Sequence, residues 1–346
     1  MKSGTAVSYS PALDGIRALA ALVVVVYHAR MSGLTGGFFG VDVFFVLSGY
    51  LITRLLIAEH ERSGRVRLGR FISRRLRRLL PALLLMLAVY LLVSPWVFPN
   101  VTPGKHLRDA LLTVLYVVNY ASFLGGAVSV LGHVWTLAVE MHFYLLWPLV
   151  LLGLLRLPRG LAIACIALLY VLAAAWRWWG AENLTHLWAF YVRTDTHCSG
   201  LLLGYLLGYL NMTIHRHWAW LGLLILAFAM TFFSTVWLPT ARYGFSIAEL
   251  GAALLLLAQP AWLGGTLLAW LGRMSYGLYL WHYPVIRAMR DWVGTDQWLL
   301  VLAVGGALGL LGAVLSYYLV ERRFYRPGFA RRERPRPKQL KVPNSG

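Results

Sequence analysis

Charge is scarce in this chain. Only 13% of its 346 residues are Asp, Glu, Lys or Arg, while 59% are hydrophobic, and that charged share is about half of an ordinary soluble protein's. The balance excludes a soluble globular enzyme, and so much apolar side chain also excludes disorder. Cysteine is nearly absent: Cys165 and Cys198 support neither a disulfide framework nor a thiolate metal cluster. No HExxH or similar ligand spacing occurs, so no metal site is expected. Acidic residues are scarcer than basic ones, 13 against 32, which leaves a net charge of +19. In a soluble protein that excess would suggest nucleic acid as the partner. Its placement excludes that reading. The segment Glu59 to Arg78 and the segment from Glu321 onward hold seventeen basic residues against four acidic ones, +13 of the +19. Such clustering looks like the positive-inside bias of cytoplasmic segments.

What is abundant is apolar sequence, enough for about ten membrane-spanning helices of about 20 residues each. The spans are expected near 13–32, 39–58, 79–98, 134–155, 160–179, 195–211, 218–238, 245–262, 269–289 and 297–320. No repeat interrupts them. We therefore expect an all-α, polytopic bundle over residues 1–325, followed by a basic, Pro-rich, disordered cytoplasmic tail at 326–346. The run Ile16 to Tyr27 lacks a small-residue cleavage site and is bracketed by Arg17 and His28, so it reads as a helix rather than a signal peptide. The run 108–126 is ambiguous. As a full crossing it would place Arg156 and Arg159 outside, whereas as a short or re-entrant element it leaves ten crossings and both termini inside, which the charge favours.

Ionisable residues inside a membrane helix cost several kcal/mol unless paired or hydrated, so each is a functional candidate. In the first helix Arg17 and His28 are eleven residues apart, roughly 16 Å along one face, and Asp14 lies one turn before Arg17. The plain alternative is that Arg17 snorkels to lipid phosphate and His28 merely hydrogen-bonds in the bundle. Asp42, after a glycine-rich turn, enters the second helix at a depth near His28, or simply favours the helix dipole. His133 and Glu140 are seven residues apart on one face. A carboxylate there would orient a histidine on another helix for general-base work, or would fix packing as a buried pair. Arg193 and Asp195 form a local pair that says little alone, and His282, flanked by aromatics, reads as a core or interface residue. Arg74, Arg75, Arg77 and Arg78 in FISRRLRRLLP suit phosphate recognition, although topology and anionic lipid alone would explain them.

Seven stretches carry a resemblance: LDGIRALAALVVVVYHAR, GGFFGVDVFFVLSGYLI, RFISRRLRRLLP, HVWTLAVEMHFYLLWP, VRTDTHCSGLLLG, SYGLYLWHYP and SYYLVERRF. In this order, from about residue 10 to residue 325, the chain resembles the acyltransferase-3 family of bacterial inner-membrane O-acyltransferases, which includes O-antigen and peptidoglycan O-acetylases. The resemblance implies transfer of an acyl group, usually acetyl from cytoplasmic acetyl-CoA, onto a hydroxyl of a free or lipid-linked sugar at the membrane. It assigns function to Arg17 and His28 through Arg-x10-His, to Arg75 and Arg78 through Arg-x-x-Arg, and to Glu140 through Trp-x-Leu-x-Val-Glu. Thr136 stands for the family's usual Ser, and Met141-His142 for its Glu-Gln, a change that bears on acceptor choice. No hydrolase-like domain follows the last helix, so where acceptor transfer needs one, a separate periplasmic transferase would have to supply it as a partner.

No Gly-x-Ser-x-Gly elbow is present, which weighs against a serine acyl-enzyme. His28 is then expected as base or acyl carrier, with Glu140 or Asp42 as its orienter. Arg74, Arg75 and Arg78 would hold the CoA phosphates and Arg17 would line the pantetheine passage, with no permanently bound cofactor. Asp14, His133, Arg193, Asp195 and His282 are expected as supporting polar residues of the substrate path. The rival reading is a transporter that uses the same buried charges, although the two related halves common in transporters are missing.

Overall fold

A computed structural model describes residues 9–123, 126, 128–183, 190–235 and 237–324; the expected 326–346 tail lies outside them. Among the described residues the chain is helical and contains no strand. Its helices are α1 (Pro11–His28), α2 (Gly40–Ser63), α3 (Leu68–Val97), α4 (Pro103–Val114), α5 (Val118–Phe123), α6 (Trp135–Leu154), α7 (Arg159–Asn183), α8 (Ser199–Leu210), α9 (Trp218–Phe232), α10 (Phe245–Ala258), α11 (Thr266–Arg273) and α12 (Ser275–Val293). A last helix, α13, runs over Trp298–Phe324. Among the described residues, seven helices are long and apolar enough to cross a membrane: α1, α2, α3, α6, α7, α10 and α13. The apolar α8 and α9 are shorter, and α12 carries Arg287, Arg290 and Asp291. These ten make the expected all-α membrane bundle.

The boundaries depart from the sequence reading in three places. The basic run 70–78 belongs to α3 itself, which begins at Leu68 and lasts 30 residues, because arginine is a good helix former. The expected span 269–289 is broken at Met274 into α11 and α12. Gly272 there lies so close to α1 that a Cβ on it would stand 1.8 Å from the Asp14 carbonyl oxygen. The expected span 195–211 starts late, at Ser199. Before it, Thr196 donates to the Phe190 carbonyl (2.5 Å) and His197 bonds the Tyr191 carbonyl (2.9 Å), and side-chain bonds of this kind compete with helix. The ambiguous 108–126 run falls into α4 and α5, of 12 and 6 residues, each too short to cross.

α1 packs on α2, α11 and α12, α2 on α8 and α10, α3 on α12, and α9 on α10. The α2–α8 crossing is close at two glycines. A Cβ on Gly204 would stand 2.1 Å from the Val46 carbonyl oxygen, and one on Gly49 2.3 Å from that of Leu201. Backbones approach this closely only through small residues, the usual basis of helix association in lipid. Gly204→Val is therefore expected to destabilise the bundle by about 1–3 kcal/mol or more, read as an earlier thermal unfolding transition in detergent. Gly69, where a Cβ meets nothing within 4 Å, serves as the comparison. α9 turns Trp218, Trp220, Leu224, Phe228 and Phe232 outward.

A second device lies among α7, α8 and α10. Arg177, fully buried, donates to the Ala241 carbonyl (3.2 Å), to the Ser246 hydroxyl (2.8 Å) and to Ser199. Ser199 donates to Glu249, which also accepts from Tyr170 at 3.1 Å and stands 3.7 Å from Arg177. With its members so fully bonded, this buried network fixes the three helices.

Candidate active site

The arginine-rich start of α3 and the start of α1 lie at one end of the bundle, the basic end. Between them and α2, α6 and α12 is a cavity with about 760 Å³ of empty space, counting its open mouth, lined by Arg17, Arg75, Arg78, Glu140, Thr136 and Tyr279 among others. Asp14 accepts from Arg17 (3.1 Å) and from Tyr9 (2.7 Å), so it holds Arg17 at the cavity wall. The Arg75 guanidinium lies 5.4 Å from the ring centres of both Phe71 and Tyr144, which steers it inward. Glu140 accepts from the Tyr144 hydroxyl at 3.2 Å, and Ser48 meets that hydroxyl at 3.3 Å. Three guanidinium groups against one carboxylate make this wall suited to an anion. Arg74 does not join them. Its side chain is 58% exposed and turns to Glu59 at 3.3 Å, so its expected place with the phosphate-binding set is not where the structure puts it.

At the other end of α1 three histidines meet. The His28 ring centre lies 5.1 Å from that of His282, and His133 lies 5.7 Å from His282 on the other side. Tyr283 stacks on His133 at 4.7 Å and meets His28 edge-on at 4.8 Å. Tyr279 joins the two regions. It lines the cavity, donates to the His133 carbonyl at 2.7 Å and accepts from Thr136 at 2.8 Å.

The structure thus brings Arg17, Arg75, Arg78, Glu140 and Asp14 to one end, and His28, His133 and His282 to the other. The expected carboxylate beside His28 is replaced by a histidine. Asp42, fully buried, bonds His197 at 3.0 Å, and Glu140 stays with Tyr144. The reason is topological: α2 delivers Asp42 against the turn before α8, and α6 points Glu140 one helical turn beyond Thr136 toward the basic end. Arg193 and Asp195 pair with each other at 2.8 and 2.5 Å, with Trp176 donating to Asp195 at 2.8 Å, and neither lines the cavity. His142 bonds Thr194 at 2.8 Å. Sequence reasoning gave Tyr279 no role beyond flanking His282 and did not single out Ser48 or the Arg177–Glu249 pair. Tyr279 sat inside the quoted SYGLYLWHYP stretch, and the rule that flagged other intramembrane charges applies equally to Arg177 and Glu249.

No solved structure matches the chain. Among curated proteins it is similar to the peptidoglycan O-acetyltransferase OatA of Listeria monocytogenes, 34% identical over 93% of this chain and 56% of that protein. It is likewise similar to the O-acetyltransferase OatA of Staphylococcus aureus, 34% identical over 93% of this chain and 58% of that protein. The chain therefore spans a little over half the length of the curated relatives it matches. The family described by its acyltransferase domain matches residues 10–318, a stretch that contains the arginine-lined cavity and all three histidines, and the chain belongs to that acyltransferase family.

Proposed function

We propose that the chain moves an acyl group, in the first place acetyl, from cytoplasmic acyl-CoA to a hydroxyl of a cell-surface carbohydrate across the bacterial inner membrane. The observation that carries this reading is the placement of an arginine-lined cavity at one end of α1 and of His28 at the other. Arg75 and Arg78 bind the CoA phosphates, Arg17 lines the passage of the pantetheine arm, and His28 takes the proton of the attacking hydroxyl. Eleven residues of helix set roughly 16 Å between Arg17 and His28, a span the extended arm covers. The basic end then faces the cytoplasm, in keeping with its charge. The name of the Listeria relative makes peptidoglycan the first acceptor to try, with other surface glycans after it.

The test is reconstitution in liposomes with acetyl-labelled acetyl-CoA on one side and glycan acceptor on the other. Label on the glycan is the expected result. Protein that binds acetyl-CoA yet yields only free or transported label, as a carrier using the same buried charges would, overturns the proposal.

A further inference from the structure

His282 is fully buried on α12, and its two ring nitrogens have different neighbours. Nδ1 lies 3.0 Å from the Leu278 carbonyl oxygen, which can only accept. Nδ1 therefore carries the hydrogen, and in the neutral ring Nε2 is a lone pair. That Nε2 lies 3.2 Å from His28 Nδ1. His28 Nδ1 in turn lies 2.9 Å from the Val24 carbonyl oxygen, a second pure acceptor, so it too holds hydrogen. One N–H is shared between Val24 and His282, and the lone pair of His28 is left on Nε2. In each helix a carbonyl one turn back sets the tautomer. The surroundings restrain both rings. Tyr27 meets His28 edge-on at 5.1 Å, Tyr279 flanks His282 at 5.5 Å, and Gly309 of α13 is close enough that a Cβ on it would stand 3.0 Å from His282 Cα.

The geometry points to His282 as the positioning residue of the transfer reaction, accepting from His28 Nδ1–H so that His28 Nε2 is aimed and free to take the acceptor's proton. This rests on the reading of His28 given above. In the step it supports, the acceptor oxygen bonds to the thioester carbonyl carbon while its proton passes to His28 Nε2. The carbon–sulfur bond then breaks, sulfur keeps the electron pair, and the proton on His28 passes to the CoA thiolate. During the step His28 is an imidazolium, and the His282 lone pair receives the more strongly donating Nδ1–H. A neutral acceptor does this without adding a second charge to the bundle interior, where charge is costly.

Losing the group that fixes a catalytic histidine's tautomer can cost up to ~10⁴ in rate. Here Val24 still holds the hydrogen on Nδ1, so His282→Leu is expected to lower kcat by about 100-fold, within the range of acid–base effects, with KM for acyl-CoA within about twofold. His282→Gln, whose amide oxygen can accept the same N–H, is expected to recover at least tenfold of that loss. A residue that only fills space would give Leu and Gln the same rate. Acyl-CoA binding, measured on every variant, reports folding, and His282→Met replaces the Leu variant if that one no longer binds. A Leu or Met variant that binds acyl-CoA and turns over within threefold of the parent, or a Gln variant no faster than it, overturns the inference. His28→Ala is run alongside: full activity there overturns the underlying reading, whereas its loss beside an unaffected His282 variant overturns only this one.

Discussion

His28→Ala is expected to lower acyl transfer by about 10²–10⁴-fold while leaving acyl-CoA bound as before. Acid–base catalysis by a placed side chain is worth about 10²–10⁴, and a ring that also carried the acyl group would cost more on removal. His28 is absent from the wall of the arginine cavity, so the donor's ground-state contacts survive its truncation. The loss should fall on kcat with KM unchanged, the pattern of an interaction made only in the transition state. Steady-state kinetics with labelled acetyl-CoA, paired with equilibrium binding, checks both halves. A folded variant with the parent's rate would remove His28 from the chemistry and leave it as a bundle contact.

The second large effect concerns the donor. Arg75→Ala with Arg78→Ala is expected to weaken acyl-CoA binding by about 100-fold or more, since hydrogen bonds to charged groups contribute roughly 1.5–3 kcal/mol each and every 1.4 kcal/mol is tenfold. Arg75 also rests against Phe71 and Tyr144, so its truncation removes wall as well as charge. The double Lys variant separates the two. It keeps the charge without the planar fork and should regain part of the affinity. Titration of acetyl-CoA, repeated at raised salt, is the measurement. Unchanged affinity in the double Ala variant would return both arginines to a purely topological role.

The helices and the basic end of the site were legible in the sequence because their signals are local. Apolar runs mark spans, charge marks a side, and the spacing of Arg17 and His28 along one helix survives folding unchanged. The partners were harder, because they come from different helices. Asp42 and Glu140 both looked able to orient His28, yet lateral packing sends Asp42 to His197, and a further turn of α6 carries Glu140 to the basic end beside Tyr144. His282 looked like an ordinary aromatic-flanked core histidine. Its place beside His28, 254 residues away, depends on α12 packing against α1, which no local pattern encodes. Arg74 shows the converse. It lies four residues before Arg78, on nearly the same helical face, yet its side chain leaves the cavity for Glu59.

The outward face of α9 bears on the membrane itself. Its 15 residues span about 22 Å, against a hydrocarbon core of ~30 Å, and Trp218 and Trp220 stand exposed at one end with Trp237 exposed beyond the other, the side chains that settle at headgroup level. A short lipid-facing helix pinned by such anchors is accommodated by a thinner bilayer at its side. Lipid headgroups of the two leaflets are then drawn toward each other beside the bundle. In the proposed reaction, an acceptor in the far leaflet beside α9 would then lie closer to the donor than in an undisturbed bilayer.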